Sequence, residues 1–171
     1  MSHGRPGGAL LLAAAGAAFA VPGAVRCQTP AGASGTAADT AAVLAVVRGL
    51  FDAMRAGDSA RVRASFAPNA LLGRARERGG QAVFERDTLD KFVRAVGAPH
   101  PAVWDERLRN TTVRVDGPLA AVWTEYAFYA GPRFSHCGVD AFQLARTGAG
   151  WQIVALVDTR QQTGCAGWDR P

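Results

Sequence analysis

The 171-residue sequence predicts an α+β domain, a curved antiparallel sheet wrapped around helices that come from the N-terminal part of the chain. Three observations lead there. Apolar residues recur at helical spacing in stretches ahead of residue 97, the pattern changes to β-rich runs beyond residue 103, and those runs are longer than ordinary strands.

Each element has its own signal. Val43, Val47, Leu50 and Met54, with Leu44, Val46 and Phe51 beside them, place a long amphipathic helix between Asp39 and Ala56, and Gly57 stops it. Asp58 caps a second, short helix expected to carry Val62 and Phe66 and to end at Pro68. A third helix runs from Thr88 to Val96, with Leu89, Phe92, Val93 and Val96 on one side and Gly97 beyond it. Shorter strands are expected near Ala70 to Arg74 and Gln81 to Arg86. Four long ones form a meander over residues 103–115, 119–129, 134–146 and 151–160, separated by Asp116-Gly117-Pro118, Gly131-Pro132 and Thr147-Gly148-Ala149-Gly150. Strands of that length must twist and curl. A curled sheet closed by helices is a cone, and a cone has room for a ligand inside.

Composition narrows the class. With 49% hydrophobic and 19% charged residues the chain is neither a disordered polyelectrolyte nor a multi-span membrane protein. Nineteen bases against 14 acids leave a net charge of +5, but Lys91 is the only lysine and the arginines are spread out, so no nucleic acid partner is expected. Residues 1–27 read as a signal peptide: His3 and Arg5, an apolar run from Ala9 to Ala20, and Ala18-Phe19-Ala20 at its end. That run is shorter than the roughly 20 residues a spanning helix needs. The protein is therefore expected to be exported, periplasmic or secreted, with no stable membrane span after cleavage beyond Ala20 or near Ala24. Cys27 suggests a lipid anchor, which Arg26 before it fits poorly. Residues 28–38 are a flexible linker without charge or large apolar side chains, residues 39–166 the folded domain and residues 167–171 a tail.

In an oxidising compartment Cys137 and Cys165 become candidates for a disulfide that ties the C-terminal tail to the sheet; two free thiols are the alternative. No Cys-x-x-Cys pair or His/Cys cluster stands at metal-ligand spacing, so neither metal nor cofactor is expected.

Several stretches bear a family resemblance. Phe51-Asp52-Ala53, Gly57-Asp58 and Phe66-Ala67-Pro68 resemble the opening of the nuclear transport factor 2-like superfamily. Further on, Trp104-Asp105-Glu106, Ala121-Val122-Trp123, Tyr126-Ala127-Phe128-Tyr129, the run Ser135 to Phe142, Gly150-Trp151-Gln152-Ile153 and Asp158-Thr159-Arg160 are similar to its branch called putative lumazine-binding. The resemblance spans residues 39–166. It implies a cystatin-like cone, related to SnoaL-like and ketosteroid isomerase-like folds, with a pocket and often a dimeric state, so a homodimer is an open partner.

Residues two apart on a strand share a face, which puts Phe134, His136, Gly138, Asp140 and Phe142 on one side and Cys137, Val139 and Ala141 on the other. His136 and Asp140 then look the same way but stand roughly 13 Å apart, too far for a direct hydrogen bond. Glu125, Tyr126, Asp158 and Arg160 are the available polar partners, and strand register decides whether Glu125 or Tyr126 neighbours His136. Trp104, Trp123 and Phe128 are candidate aromatic walls, and Glu106 lies at the pocket mouth or in solvent. Three readings follow. The first is an exported domain that binds a small apolar or aromatic molecule. The second is an isomerase or dehydratase without cofactor, with His136 as general base, oriented by Asp140 or Glu125. The third is a dimeric interaction module whose cavity is filled by Trp and Phe side chains.

Overall fold

The computed structural model describes residues 35–168, with Met1 and His3 besides. The expected signal peptide, most of the linker and the last three residues lie outside the described residues.

Helix α1 (Ala37–Arg55) starts at Thr36, whose hydroxyl accepts from Asp39 N while Asp39 returns a bond to Thr36 N, a reciprocal cap. Val43, Val47, Leu50, Phe51 and Met54 form its buried stripe, and Gly57 takes the positive φ of 67° that ends it. Helix α2 (Ser59–Ala64) is capped by Asp58, and α3 (Leu89–Gly97) by Thr88. The expectation that α2 reaches Phe66 and Pro68 fails: the helix stops at Ala64, and Phe66 opens a strand. Pro68 disfavours helical backbone at the residue before it. Phe66 is taken instead by the sheet, paired with Ile153 and packed edge-on against Phe92 at 6.3 Å.

The strands are β1 (Phe66–Arg78), β2 (Gln81–Asp87), β3 (Trp104–Asp116), β4 (Leu119–Ala130), β5 (Arg133–Thr147) and β6 (Gly150–Thr159). They form one sheet in the order β2-β1-β6-β5-β4-β3. The meander of four long antiparallel strands is present as expected; β1 adds to β6 in parallel and turns back through Gly79 and Gly80 into β2. Register shifts in β1, β3, β5 and along the β5–β6 pair give the sheet its curl, since each extra residue bends its strand and adds local twist.

Helix α1 lies against the concave face, where its stripe packs with Val122, Phe142, Leu144 and Ile153; Phe51 meets Phe142 edge-on at 6.1 Å. The far side of the same sheet is capped at one end by the returning tail. Cys137 pairs with Gln161 across an antiparallel bridge and is joined to Cys165 by a disulfide with 5.8 Å between the Cα atoms. Tyr129 donates to Trp168 O, and the Arg109 guanidinium lies 4.1 Å over the Trp168 ring. No helix among the described residues is long and apolar enough to cross a membrane.

Candidate functional site

Where the sheet curls past the C-terminal end of α1, the concave face encloses a cavity of about 530 Å³. Leu50, Phe51 and Met54 of α1 and Phe92 and Ala95 of α3 form its roof. Strands β1, β3, β4, β5 and β6 form the floor, contributing Leu72 and Arg74, Trp104 and Glu106, Tyr126 and Phe128, His136 and Asp140, and Leu156 and Asp158; Arg160 follows just past β6. The interior is not plugged by aromatic side chains, which was the filling expected of a ligand-free module.

Strand register sets the order on that floor. Phe128 stands opposite His136, Tyr126 opposite Gly138 and Thr124 opposite Asp140, so neither Glu125 nor Tyr126 is the direct neighbour of His136. The shift between Phe128 and Tyr129, at Ser135, also turns Phe134 to the other face, where it packs against Tyr129 at 5.6 Å instead of sharing a side with His136. His136 lies stacked on Phe128 at 4.9 Å and edge-on to Tyr126 at 5.8 Å, with Nδ1 3.0 Å from Ser135 Oγ. Burial pulls its pKa down to about 4, and the nearby Arg160 and Arg74 charges add to the effect. It is a neutral ring at pH 7 and a weak base, which sits poorly with the role of general base expected of it.

Asp140 is 4% exposed and Oδ2 has no hydrogen-bond partner among the described residues. The group facing it is the Glu106 carboxyl, reaching across β4 from β3. Two carboxyls can hydrogen-bond only if one holds a proton. Burial pushes Asp140 up to about 7, and burial together with the Asp140 charge pushes Glu106 well above the ordinary carboxylate range. The third carboxyl, Asp158, stands directly opposite Asp140 on β6 but is held by Arg74 of β1, with Nη2 2.7 Å and Nε 2.9 Å from Oδ2. Tyr126 donates its hydroxyl to Thr159 O at 2.8 Å, and burial raises its pKa so far that the phenol stays protonated.

The other expected site residues divide. Trp104, Glu106, Tyr126, Phe128, His136, Asp140, Asp158 and Arg160 all line the cavity. Three do not. Glu125 points to the convex face, bound to Arg109 at 2.7 Å and Asn110 at 3.1 Å. Trp123, 58% exposed, is on that face too, because odd positions of β4 look outward. Phe142 faces inward but lies deeper, packed against Phe51 in the core. Sequence reasoning missed Arg74, the cation that settles Asp158; its only signal was the two-residue spacing from Leu72 in the short strand expected there. It also missed why position 138 is glycine. A Cβ there would lie 2.0 Å from Thr159 O and 2.8 Å from the Tyr126 ring.

Chemically, the cavity offers the rings of Trp104 and Phe128, set 5.8 Å apart and edge-on, and at its inner end Asp140, pushed up to about 7, with the Glu106 carboxyl facing it. Among the described residues no group of three or more His, Cys, Asp or Glu side chains is arranged to hold a metal ion.

A family model described as "Putative lumazine-binding" matches residues 38–157. Solved structures share the fold. A protein of unknown function with a cystatin-like fold from Nostoc punctiforme superposes with a TM-score of 0.59 at 10% identity, over 75% of this chain and 95% of that one. A nuclear transport factor 2-like protein from Novosphingobium aromaticivorans gives 0.59 at 13% identity, over 75% and 86%. A protein from Streptomyces avermitilis, called a putative dehydratase of the same fold family, gives 0.55 at 16% identity, over 72% and 96%. No curated protein matches the chain.

Proposed function

Because this chain belongs to the "Putative lumazine-binding" family, within the nuclear transport factor 2-like superfamily, we propose that it is an exported domain that binds a small aromatic molecule in the cone. One observation carries the reading: the 530 Å³ cavity remains open between aromatic walls and a buried carboxyl, Asp140, whose Oδ2 lacks a partner among the described residues. A space of that size suits a ligand of one or two rings, and a few convergent polar groups in an apolar lining are what orient such ligands. What supports export is the N-terminal sequence together with a disulfide, a bond that persists in oxidising compartments.

Two measurements test this. A thermal-shift screen of flat heteroaromatic compounds on the purified protein is expected to give concentration-dependent increases in Tm, because a ligand that binds only the folded state stabilises it by mass action. In Ala95→Trp, which fills the cavity from α3, the same shifts should vanish; shifts that persist would place binding elsewhere. Intact-mass measurement of protein recovered from the growth medium or periplasm should show removal of about twenty to twenty-seven N-terminal residues, cut near Ala20 or Ala24. Retention of Met1 in cytoplasm would count against export.

The titration of Asp140 favours a second reading, an isomerase or dehydratase in which this carboxyl rather than His136 transfers the proton. A base poised near the working pH, lining the same cavity as Tyr126, is suited to that step. Under this reading Asp140→Asn loses about 10²–10⁴-fold in turnover while His136→Gln keeps most of it.

A further inference from the structure

We propose that the inner end of the cavity is a cation site, which takes the protonated nitrogen of a flat aromatic amine or amidine on Asp140 Oδ2. The inference rests on the cavity being a ligand site and adds the charge of the ligand.

The charges at that end do not balance without a guest. Three carboxyls meet there, Glu106 from β3, Asp140 from β5 and Asp158 from β6, and the one guanidinium among them, Arg74 from β1, is engaged by Asp158 through both Nε and Nη2. Tyr126 from β4 spends its hydroxyl on Thr159 O. His136 holds no charge to offer at neutral pH. Asp140 therefore keeps one oxygen that is buried, lines the cavity and has no donor among the described residues. A buried acceptor in that condition is costly to leave unpaired.

The walls select the shape of the guest. Trp104 and Phe128 line the cavity beside the carboxyl pair, Trp104 with one face against His100 and Phe128 with one against His136, and the free side of an aromatic ring attracts a cation through its quadrupole. A delocalised planar cation can thus meet ring faces and carboxylate together, where a neutral ring meets only the faces. At the mouth the cations are less influential: Lys91 pairs with Asp87 at 3.1 Å, and Arg86 and Arg160 are exposed, so solvent screens them.

Proton exchange follows. Below neutrality Asp140 holds a proton that competes with the guest; above it Asp140 is charged and the cation binds without displacing anything. Affinity for the cation should rise with pH between 6 and 8, and binding at pH 7 should release a fraction of one proton.

Isothermal titration calorimetry with benzamidine, benzamide and benzoate, three rings alike in shape and different in charge, tests this on the whole protein at pH 7 in phosphate and in Tris. Benzamidine should bind about tenfold or more tighter than benzamide. Its apparent enthalpy should differ between the buffers by the released proton, and benzoate should bind weakest. Asp140→Asn, a near-isosteric change, should abolish both the preference and the buffer dependence while benzamide binding stays. Benzamide binding as tightly as benzamidine, or a preference that survives Asp140→Asn, overturns the cation site and leaves the ligand cavity standing. Failure of all three rings to bind at millimolar concentration overturns both.

Discussion

Burial of Asp140, with Oδ2 lacking a partner among the described residues, puts its carboxyl in a medium that disfavours charge, and this gives the residue an effect on stability of definite sign. Its folded pKa of about 7 is above the ordinary value, so the stability its proton contributes is complete at pH 4 and is lost as pH rises toward 7. His136 runs the other way. Its folded pKa of about 4 is below the ordinary value, so its contribution is present above pH 6.5 and lost as pH falls toward 4. In the native protein the two slopes oppose each other. We expect the variants to shift the balance: relative to the native protein, Asp140→Asn should lose more Tm as pH drops from 6.5 to 4, and His136→Phe should lose more as pH rises from 4 to 7. At pH 8 Asp140→Asn should be more stable than the native protein by on the order of 3 kcal/mol, read by urea denaturation, because it removes a buried charge and offers Glu106 a donor. A loss of stability at pH 8 would mean that Asp140 is charged and satisfied.

Among the elements, the β5–β6 pair holds the site together. Thr159 is the junction: its carbonyl accepts from Tyr126, its hydroxyl accepts from Val139 N at 3.0 Å, and its backbone runs against Gly138 with no space for a side chain. Gly138→Ala should force β6 or the Tyr126 ring away. We expect a loss of about 3 kcal/mol or more by chemical denaturation, an overpacking cost at the high end because the obstacle is backbone. Asn110 has the corresponding place in β3. It sits at φ 52° within the register shift between Arg109 and Thr112, where its amide bonds Glu125. Asn110→Gly should be nearly neutral in Tm, whereas Asn110→Val, β-branched in left-handed backbone, should cost about 1–3 kcal/mol. Both sites show why elements were easier to read than their details. Val43, Val47 and Leu50 announce a helix through local spacing, and the runs after residue 103 announce strands. The bulges at Asn110 and Ser135 leave no comparable mark, because an inserted residue is decided by what the neighbouring strand offers. The Ser135 bulge alone moved Phe134 to the other face.

At the scale of the whole molecule, the tail and sheet are joined by the Cys137–Cys165 bond, which closes a loop with a sequence separation of 28. A loop of that length implies about 3–4 kcal/mol of unfolded-state entropy removed by the cross-link. Reductant, or the paired change Cys137→Ala with Cys165→Ala, should lower stability by that order, measured by chemical denaturation with and without dithiothreitol. A change below about 1 kcal/mol would show that Gln161 and Trp168 hold the tail without the bond. Sequence reading reached the two cysteines as candidates and could go no further, since pairing depends on whether the backbone brings them within reach.

The sequence by itself determined the α+β class, the four-strand meander, the family resemblance and eight of the residues that line the cavity, among them Trp104, Glu106, His136, Asp140 and Asp158. These follow from short-range periodicity, which acts over a few neighbours and survives any arrangement of the rest. Only the tertiary structure decided that β1 pairs in parallel with β6 and brings Arg74 to Asp158, that Glu125 and Trp123 look away, and that Glu106 meets Asp140 from two strands off. Those outcomes depend on register and curvature, and both come from hydrogen bonding between distant segments, such as Arg74 and Asp158, 84 residues apart.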